Sequence, residues 1–101
     1  MNPAMTLDTI VTPIIHPNGD SAEVLLTNLK EAFRAVRAAI EAVYSCAPNG
    51  RNYYPEPGRF ERALVQNDER LAKLLAVKQS IRDEAIALQR IVTSARTTML
   101  S

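Results

Sequence analysis

The sequence predicts an all-α fold: an antiparallel, coiled-coil-like two-helix hairpin with an extended N-terminal arm. Two long segments repeat apolar residues at helical spacings of three and four. Between them lies the stretch APNGRNYYPEPG, whose prolines, glycines and asparagines are typical of a turn. A chain of 101 residues forms one domain at most. We therefore divide it into an arm (1–19) and a hairpin (20–101), the hairpin comprising a first helix at 20–46, a corner loop at 47–58 and a second helix at 58–97.

The arm is apolar and interrupted by proline. Pro13 follows a β-branched run and biases Thr12 toward extended backbone. Exposed aliphatic side chains in a tail promote association, so we expect this segment to lie on another surface. The arm leaves the first helix beside the far end of the second, which predicts packing of Ile10, Val11, Ile14 and Ile15 on Leu88, Ile91 and Val92.

The first helix has clear start and stop signals. Asp20 is a good N-cap, and Glu23 stands three residues later, as in a capping box. Pro48 ends the helix near Ser45 or Cys46, because the residue before a proline avoids the α-helical region.

The second helix has a long apolar seam, a row of residues spaced alternately three and four apart, with two polar interruptions, Asn67 and Lys78. The seam consists of Phe60, Leu64, Asn67, Leu71, Leu74, Lys78, Ile81, Ala85, Leu88 and Val92. The simpler expectation is that drift of the helix turns both toward solvent, with the lysine stem covering apolar surface. The alternative is that Asn67 specifies register or oligomeric state across an interface.

The two helices differ in length. At 1.5 Å per residue the first spans ~39 Å and the second ~57 Å. Folding them back about the loop places residue 21 near residue 84. Residues 85–97 then extend beyond the first helix by ~20 Å.

The corner carries a tyrosine pair. Adjacent side chains of an extended segment point in opposite directions, so one tyrosine can cap the core while the other, beside Arg51, faces outward as an interface anchor. The simpler expectation is that Tyr53 and Tyr54 both pack the corner.

A two-helix hairpin leaves apolar surface without cover. The second helix has large aliphatic residues outside its seam, and one facing helix cannot reach all of these directions. We therefore expect a homo-oligomer, such as a four-helix bundle, or a larger protein assembly. The predicted partner-binding residues are Ile10, Val11, Ile14, Ile15, Arg51, Tyr53, Tyr54, Leu75, Ile86 and Ile91.

Composition argues against several other functions. The net charge of +1 is too balanced for affinity built on many phosphate contacts. Residues 59–101 carry eight basic against five acidic residues, but the basic residues scatter around the helix. A nucleic-acid-associated regulatory hairpin is thus the alternative function.

Site chemistry is equally sparse. One cysteine and one histidine form neither a disulfide nor a zinc site by themselves. We expect no enzyme activity, cofactor, metal or small-molecule substrate. The first basic residue is Lys30 and no apolar run reaches ~18 residues, so we expect neither a secretory signal nor a membrane span. The expected location is the cytoplasm, or a virion.

The corner motif PNGR-x-YYP, placed between an alanine-rich and a leucine-rich helix, resembles that of short uncharacterised helical-hairpin proteins of tailed phages and bacteria. The resemblance covers roughly residues 14–92 and implies no known activity. It implies a small phage-associated structural protein, for instance a virion component.

Overall fold

The computed structural model describes the backbone of residues 9–100 and the side chains of residues 9–95. Within that range the chain is all-helical and has no strand. It forms helix α1 (Ala22–Tyr44), a short 3-10 helix (Gly50–Asn52) and helix α2 (Arg59–Leu100). The two long helices pack against each other in an elongated molecule of 70 × 27 × 24 Å. The predicted helical hairpin is confirmed.

Helix α1 begins at Ala22, two residues after the predicted start at residue 20, and its N-cap is shifted by one residue. Its N-cap is Ser21, not Asp20, because Ser21 has extended backbone and its Oγ accepts a hydrogen bond of 3.2 Å from the Val24 amide. Glu23 therefore lies in the first turn, where its charge suits the helix dipole, and does not close a capping box.

The C-terminal end of α1 tightens before Pro48. The amides of Cys46 and Ala47 donate to the carbonyls of Val43 and Tyr44, three residues back, at 2.9 and 3.1 Å. These short-range bonds satisfy carbonyls that a helix end otherwise leaves free. The helix consequently ends at Tyr44, two residues before the predicted end, whereas α2 extends to Leu100, three residues beyond its own.

Contacts at two positions along the hairpin define which residues of the first half lie opposite which residues of α2. The Lys78 ammonium lies over the Phe33 ring, 5.7 Å from its centre. A Cβ placed on Gly50 would lie 3.8 Å from the Phe60 ring, so the chain continues alongside α2 after α1 ends. The reversal therefore occurs within residues 53–58, later than the midpoint of the predicted loop.

This register corrects the predicted pairing. With residue 33 opposite residue 78, residue 21 lies opposite residue 90 and not residue 84. The end of α2 that extends beyond α1 is residues 91–100, a length of ~15 Å at 1.5 Å per residue.

The buried core is small: one cluster lies near the free ends of the hairpin, and Ile40 and Leu71 are buried nearer the corner. Leu88 is completely buried, with 0% of its surface exposed, and clusters with Ala22 and Leu26. Partly buried residues of both helices surround this cluster: Leu25, Leu29, Ala85 and Val92. Helix α1 thus covers Leu88 and part of Val92, which the arm was predicted to cover, whereas Ile91 stays exposed.

The arm is correspondingly exposed. Val11 and Ile14 are 85% and 84% exposed, so the prediction that they pack on α2 is wrong. Ile15 is also exposed, and Ile10 is half-buried. The register explains the difference, because the first turn of α1 already occupies the level of Leu88. Residues 1–8 of the predicted arm lie outside the described part of the chain.

The polar residues of the seam do not turn toward solvent. Asn67 is only 5% exposed, and its Oδ1 accepts no hydrogen bond. Lys78 is half-buried, and its ammonium lies over the Phe33 ring. The seam of α2 repeats every seven residues, the period that keeps one face of a helix against its partner. The expected drift therefore does not occur.

Candidate functional site

A groove of about 410 Å³ runs along one side of the helix pair. Both helices contribute to its apolar floor. The floor residues are Leu26, Leu29, Phe33, Ile81, Ala85 and Ile86. Such a floor suits contact with apolar side chains of another protein segment.

The rim of the groove is cationic. Lys30, Arg34 and Arg37 of α1 and Arg82 of α2 line it, and no acidic residue does. Within residues 9–95 the ion pairs are those of Glu56 with Arg59 and Arg62, so the four rim cations have no ion-pair partner. Their charges add to a local positive potential beside an apolar surface, which favours a ligand carrying carboxylates.

The spacing along each helix places these cations together. Lys30 and Arg37 are seven residues apart and directly follow Leu29 and Val36, which are partly buried residues of α1. Arg82 directly follows the seam residue Ile81 of α2. Because a seven-residue step returns to nearly the same side of a helix, positions that directly follow the seam face the same groove.

The same side of α2 becomes acidic toward the corner. Steps of seven residues back from Arg82 reach Leu75, Asp68 and Glu61, which are all exposed. In α1 the same seven-residue step leads from Lys30 back to the exposed Glu23 near the free ends, and Glu41 lines a small depression with Arg34 and Arg37. Acidic and basic residues are therefore interspersed along this side of the hairpin.

The corner loop is ordered by its own polar groups. The Asn49 Oδ1 accepts hydrogen bonds from the Arg51 backbone amide at 3.0 Å and from its Nε at 3.4 Å. Glu56 pairs with Arg59 at 2.8 Å across the start of α2. The Tyr54–Pro55 peptide is cis.

The two tyrosines of the corner separate. The half-buried Tyr53 ring lies 6.1 Å from the Phe60 ring, centre to centre. Tyr54 is 86% exposed, so the expectation that both tyrosines pack the corner is wrong. Arg51 and Tyr54 thus form an exposed tip at the opposite end of the molecule from the arm.

The structure does not gather the predicted partner-binding residues into one site. Ile86 lines the groove and Leu75 lies on the same side of α2, but Ile91 falls on the other side of the seam. The arm and the corner lie at opposite ends of a 70 Å molecule.

The sequence reading missed the groove itself. Its unpredicted members are Lys30, Phe33, Arg34, Arg37 and Arg82. The signal was present as basic residues immediately after seam positions. The basic residues of the two helices are far apart in the sequence, and only the packing of α1 on α2 brings them to one groove.

Two further findings concern other kinds of site. Within the described side chains, no three or more His, Cys, Asp or Glu residues are grouped so as to hold a metal ion. No helix in the described range is long and apolar enough to cross a membrane.

Comparisons with protein-family models, with curated proteins and with solved structures return no match.

Proposed function

We propose that this protein is a non-enzymatic structural protein that assembles with copies of itself through its helix faces and its N-terminal arm. The observation that supports the proposal is the ratio of buried to exposed apolar side chains. Among the described residues, five hydrophobic side chains are buried, whereas twelve large ones are exposed. Scattered exposed apolar residues are normal, but here they outnumber the core.

The energetics point in the same direction. Full burial of one aliphatic side chain contributes about 1.5–3 kcal/mol. In the isolated hairpin only a few side chains contribute this stabilisation. Burial of the exposed aliphatic residues of the arm and α2 would add to it. Association that buries them stabilises the folded state by mass action.

The location proposed for the assembly follows from the resemblance of the corner motif to phage-associated hairpins. A small virion component, made in the cytoplasm of the host, is consistent with an elongated hairpin that has an exposed arm at one end and an exposed tyrosine at the other. In this proposal Val11 and Ile14 bind a neighbouring copy by burial.

Thermal unfolding at several protein concentrations tests the self-assembly. We expect the midpoint temperature to rise with concentration, because folding is linked to association. The double variant Val11→Ser with Ile14→Ser removes apolar surface that the hairpin itself does not bury, so it should weaken this dependence. Thr9→Ser with Asn18→Ser is the matched arm control. A midpoint that does not change on dilution would show that the proposal is wrong.

A second candidate function is nucleic-acid binding, which the four unpaired cations of the groove rim favour. The apolar floor between them fits phosphate backbone poorly, and the exposed carboxylates of Glu61 and Asp68 on the same side of α2 repel it. Duplex DNA binding that weakens steeply with salt, and that is lost in Arg34→Gln with Arg37→Gln, would support this candidate.

A further inference from the structure

We propose that the groove beside Phe33 binds an acidic amphipathic helix of a different protein, which lies between α1 and α2 as the third helix of a bundle. This inference goes beyond the proposed self-assembly, because it assigns another partner to a surface that a second copy of this chain does not complement. Three features of the groove support it: its apolar floor, the placement of its cations and its length.

The floor of the groove consists largely of side chains that the hairpin buries only in part. Leu29 and Phe33 of α1 and Ile81 and Ala85 of α2 are half-buried, although each belongs to the apolar stripe of its helix. They line the groove beside the exposed Ile86, so part of their remaining exposed surface opens into it. A third apolar surface laid between the two helices would complete the burial of these residues.

The occupant that suits this floor is a helix. The floor side chains are aliphatic or aromatic and have no hydrogen-bonding groups. An extended segment laid on them would leave part of its backbone N–H and C=O groups without partners, whereas a helix satisfies these groups internally. The groove between two packed helices also accepts the side-chain ridges of a third helix.

The cations of the rim are distributed along the groove. Lys30, Arg34 and Arg37 follow one another along α1 and span ~10 Å at 1.5 Å per residue. Arg82 of α2 stands on the opposite wall. A single anionic head group, such as that of a fatty acid, would reach only part of this set. Carboxylates spaced along both flanks of a helix would lie near all four cations, so the charge pattern favours an acidic helix over a small amphiphile.

The carboxylates of the hairpin leave these cations available. Within residues 9–95, neither Glu23 nor Glu41 of α1 forms an ion pair. Glu23 lines a separate depression with Val24 and is not part of the groove. A carboxylate of an incoming helix would therefore meet cations that no side chain of the described chain neutralises by direct contact.

The length of the groove fits a helix of about four turns. With residue 33 opposite residue 78, Gln89 lies opposite residue 22. The groove therefore runs from the level of residue 22 to that of Arg37, which is ~22 Å, or about 15 residues of helix. A segment of this length can present apolar side chains at steps of three and four residues on one face, with carboxylates on both sides of them.

This chain does not supply such a helix itself. A second copy laid on the same side would bring its own Arg34 and Arg37 toward the groove, and like charges would then face each other. The arm has no carboxylate between residues 9 and 19. In both long helices the acidic residues are interspersed with basic ones, as where Glu31 follows Lys30. The occupant is therefore a different protein.

A labelled model peptide tests this inference. The probe consists of three repeats of Glu-Leu-Ala-Ala-Leu-Glu-Ala with blocked ends, which places leucines on one helix face and glutamates on both sides of it. The control peptide has lysine in place of every glutamate. Fluorescence anisotropy should show saturable binding of the acidic peptide to the full chain, and at least about ten-fold weaker binding of the basic peptide.

Two matched pairs of variants locate the binding surface. Ile86 and Ile91 are 39% and 41% exposed and lie on opposite sides of the seam. Ile86→Ser should therefore weaken binding of the acidic peptide at least about ten-fold, whereas Ile91→Ser should leave it unchanged. Arg82→Glu places a carboxylate in the rim and should also weaken binding, whereas Arg90→Glu makes the same change outside the groove. Circular dichroism shows whether each variant keeps its helices.

Several results would overturn the inference. Absence of binding of the acidic peptide would do so, and so would equal binding of the acidic and basic peptides. Equal affinities of the groove variants and their controls would place the peptide on another surface. Binding of dodecanoate or duplex DNA without binding of the peptide would identify another class of occupant. Loss of self-association in Ile86→Ser and Arg82→Glu, again without peptide binding, would assign the groove to a second copy.

Discussion

The ammonium group of Lys78 in α2 lies 5.7 Å from the centre of the Phe33 ring in α1, so a charged residue of the apolar seam is held on the face of an aromatic ring. This contact marks the register of the hairpin. It places the first turn of α1 at the level of Leu88, which leaves the arm exposed and opens the groove beside Phe33.

Lys78→Met should therefore destabilise the hairpin slightly. Methionine keeps a long apolar stem but loses the cation, and an ammonium over an aromatic face contributes about 0.5–1 kcal/mol at an accessible site. Lys73→Met, at an exposed position of the same helix, is the control and should change stability less. Denaturant unfolding at one fixed protein concentration measures both. Equal effects of the two variants would argue against the contact.

Ser21→Ala should cost about 1 kcal/mol, because it removes the side-chain acceptor for the Val24 amide. Asp20→Ala should cost less, since Asp20 contributes only its charge near the helix N-terminus. Far-ultraviolet circular dichroism during thermal unfolding compares the two. A larger effect of the Asp20 variant would restore Asp20 as the N-cap.

Gly58→Ala should destabilise the corner by about 1–2 kcal/mol, because Gly58 has a φ of 78°, in the left-handed region that side chains disfavour. Gly50→Ala is the matched control. Its new methyl group would meet the Phe60 ring at 3.8 Å, an ordinary contact distance. Urea unfolding should show a loss for the first variant and little change for the second. If both glycines tolerate alanine equally, the corner geometry is different from that described.

Asn67→Leu should stabilise the hairpin by about 1–3 kcal/mol, because it replaces a buried amide oxygen that accepts no hydrogen bond by an apolar group of similar size. Asn28→Leu, at an exposed position of α1, is the control and should change stability little. Urea unfolding at fixed concentration measures the difference. A loss of stability in the Asn67 variant would mean that the amide is paired, for example across an interface between copies.

Much of the fold was predictable because its determinants are local. The apolar spacing, the turn residues at 47–58 and the absence of proline beyond residue 58 predict two helices joined by a corner, and the structure has them. The register was not predictable in the same way. The register depends on where the chain reverses. Gly50 lies beside Phe60 before that reversal, and this non-local contact cannot be read from the spacing of apolar residues.

Part of the candidate site was also predictable from the sequence and part was not. The exposure of Leu75 and Ile86 could be predicted, since they lie outside the seam of a long helix. The cationic rim could not, because it joins Arg82 to Lys30, Arg34 and Arg37 across the hairpin. The burial of Asn67 was also missed, because the expected drift of the seam toward solvent does not occur at that position.

The most direct test of self-assembly is the solution mass of the untagged protein, measured by light scattering across a wide concentration range. One chain has a mass of 11.2 kDa. We predict twice that mass or a higher multiple at high concentration, falling toward the single-chain value on dilution. A folded protein that keeps the single-chain mass at every concentration would contradict the claim that this hairpin completes its core with another copy.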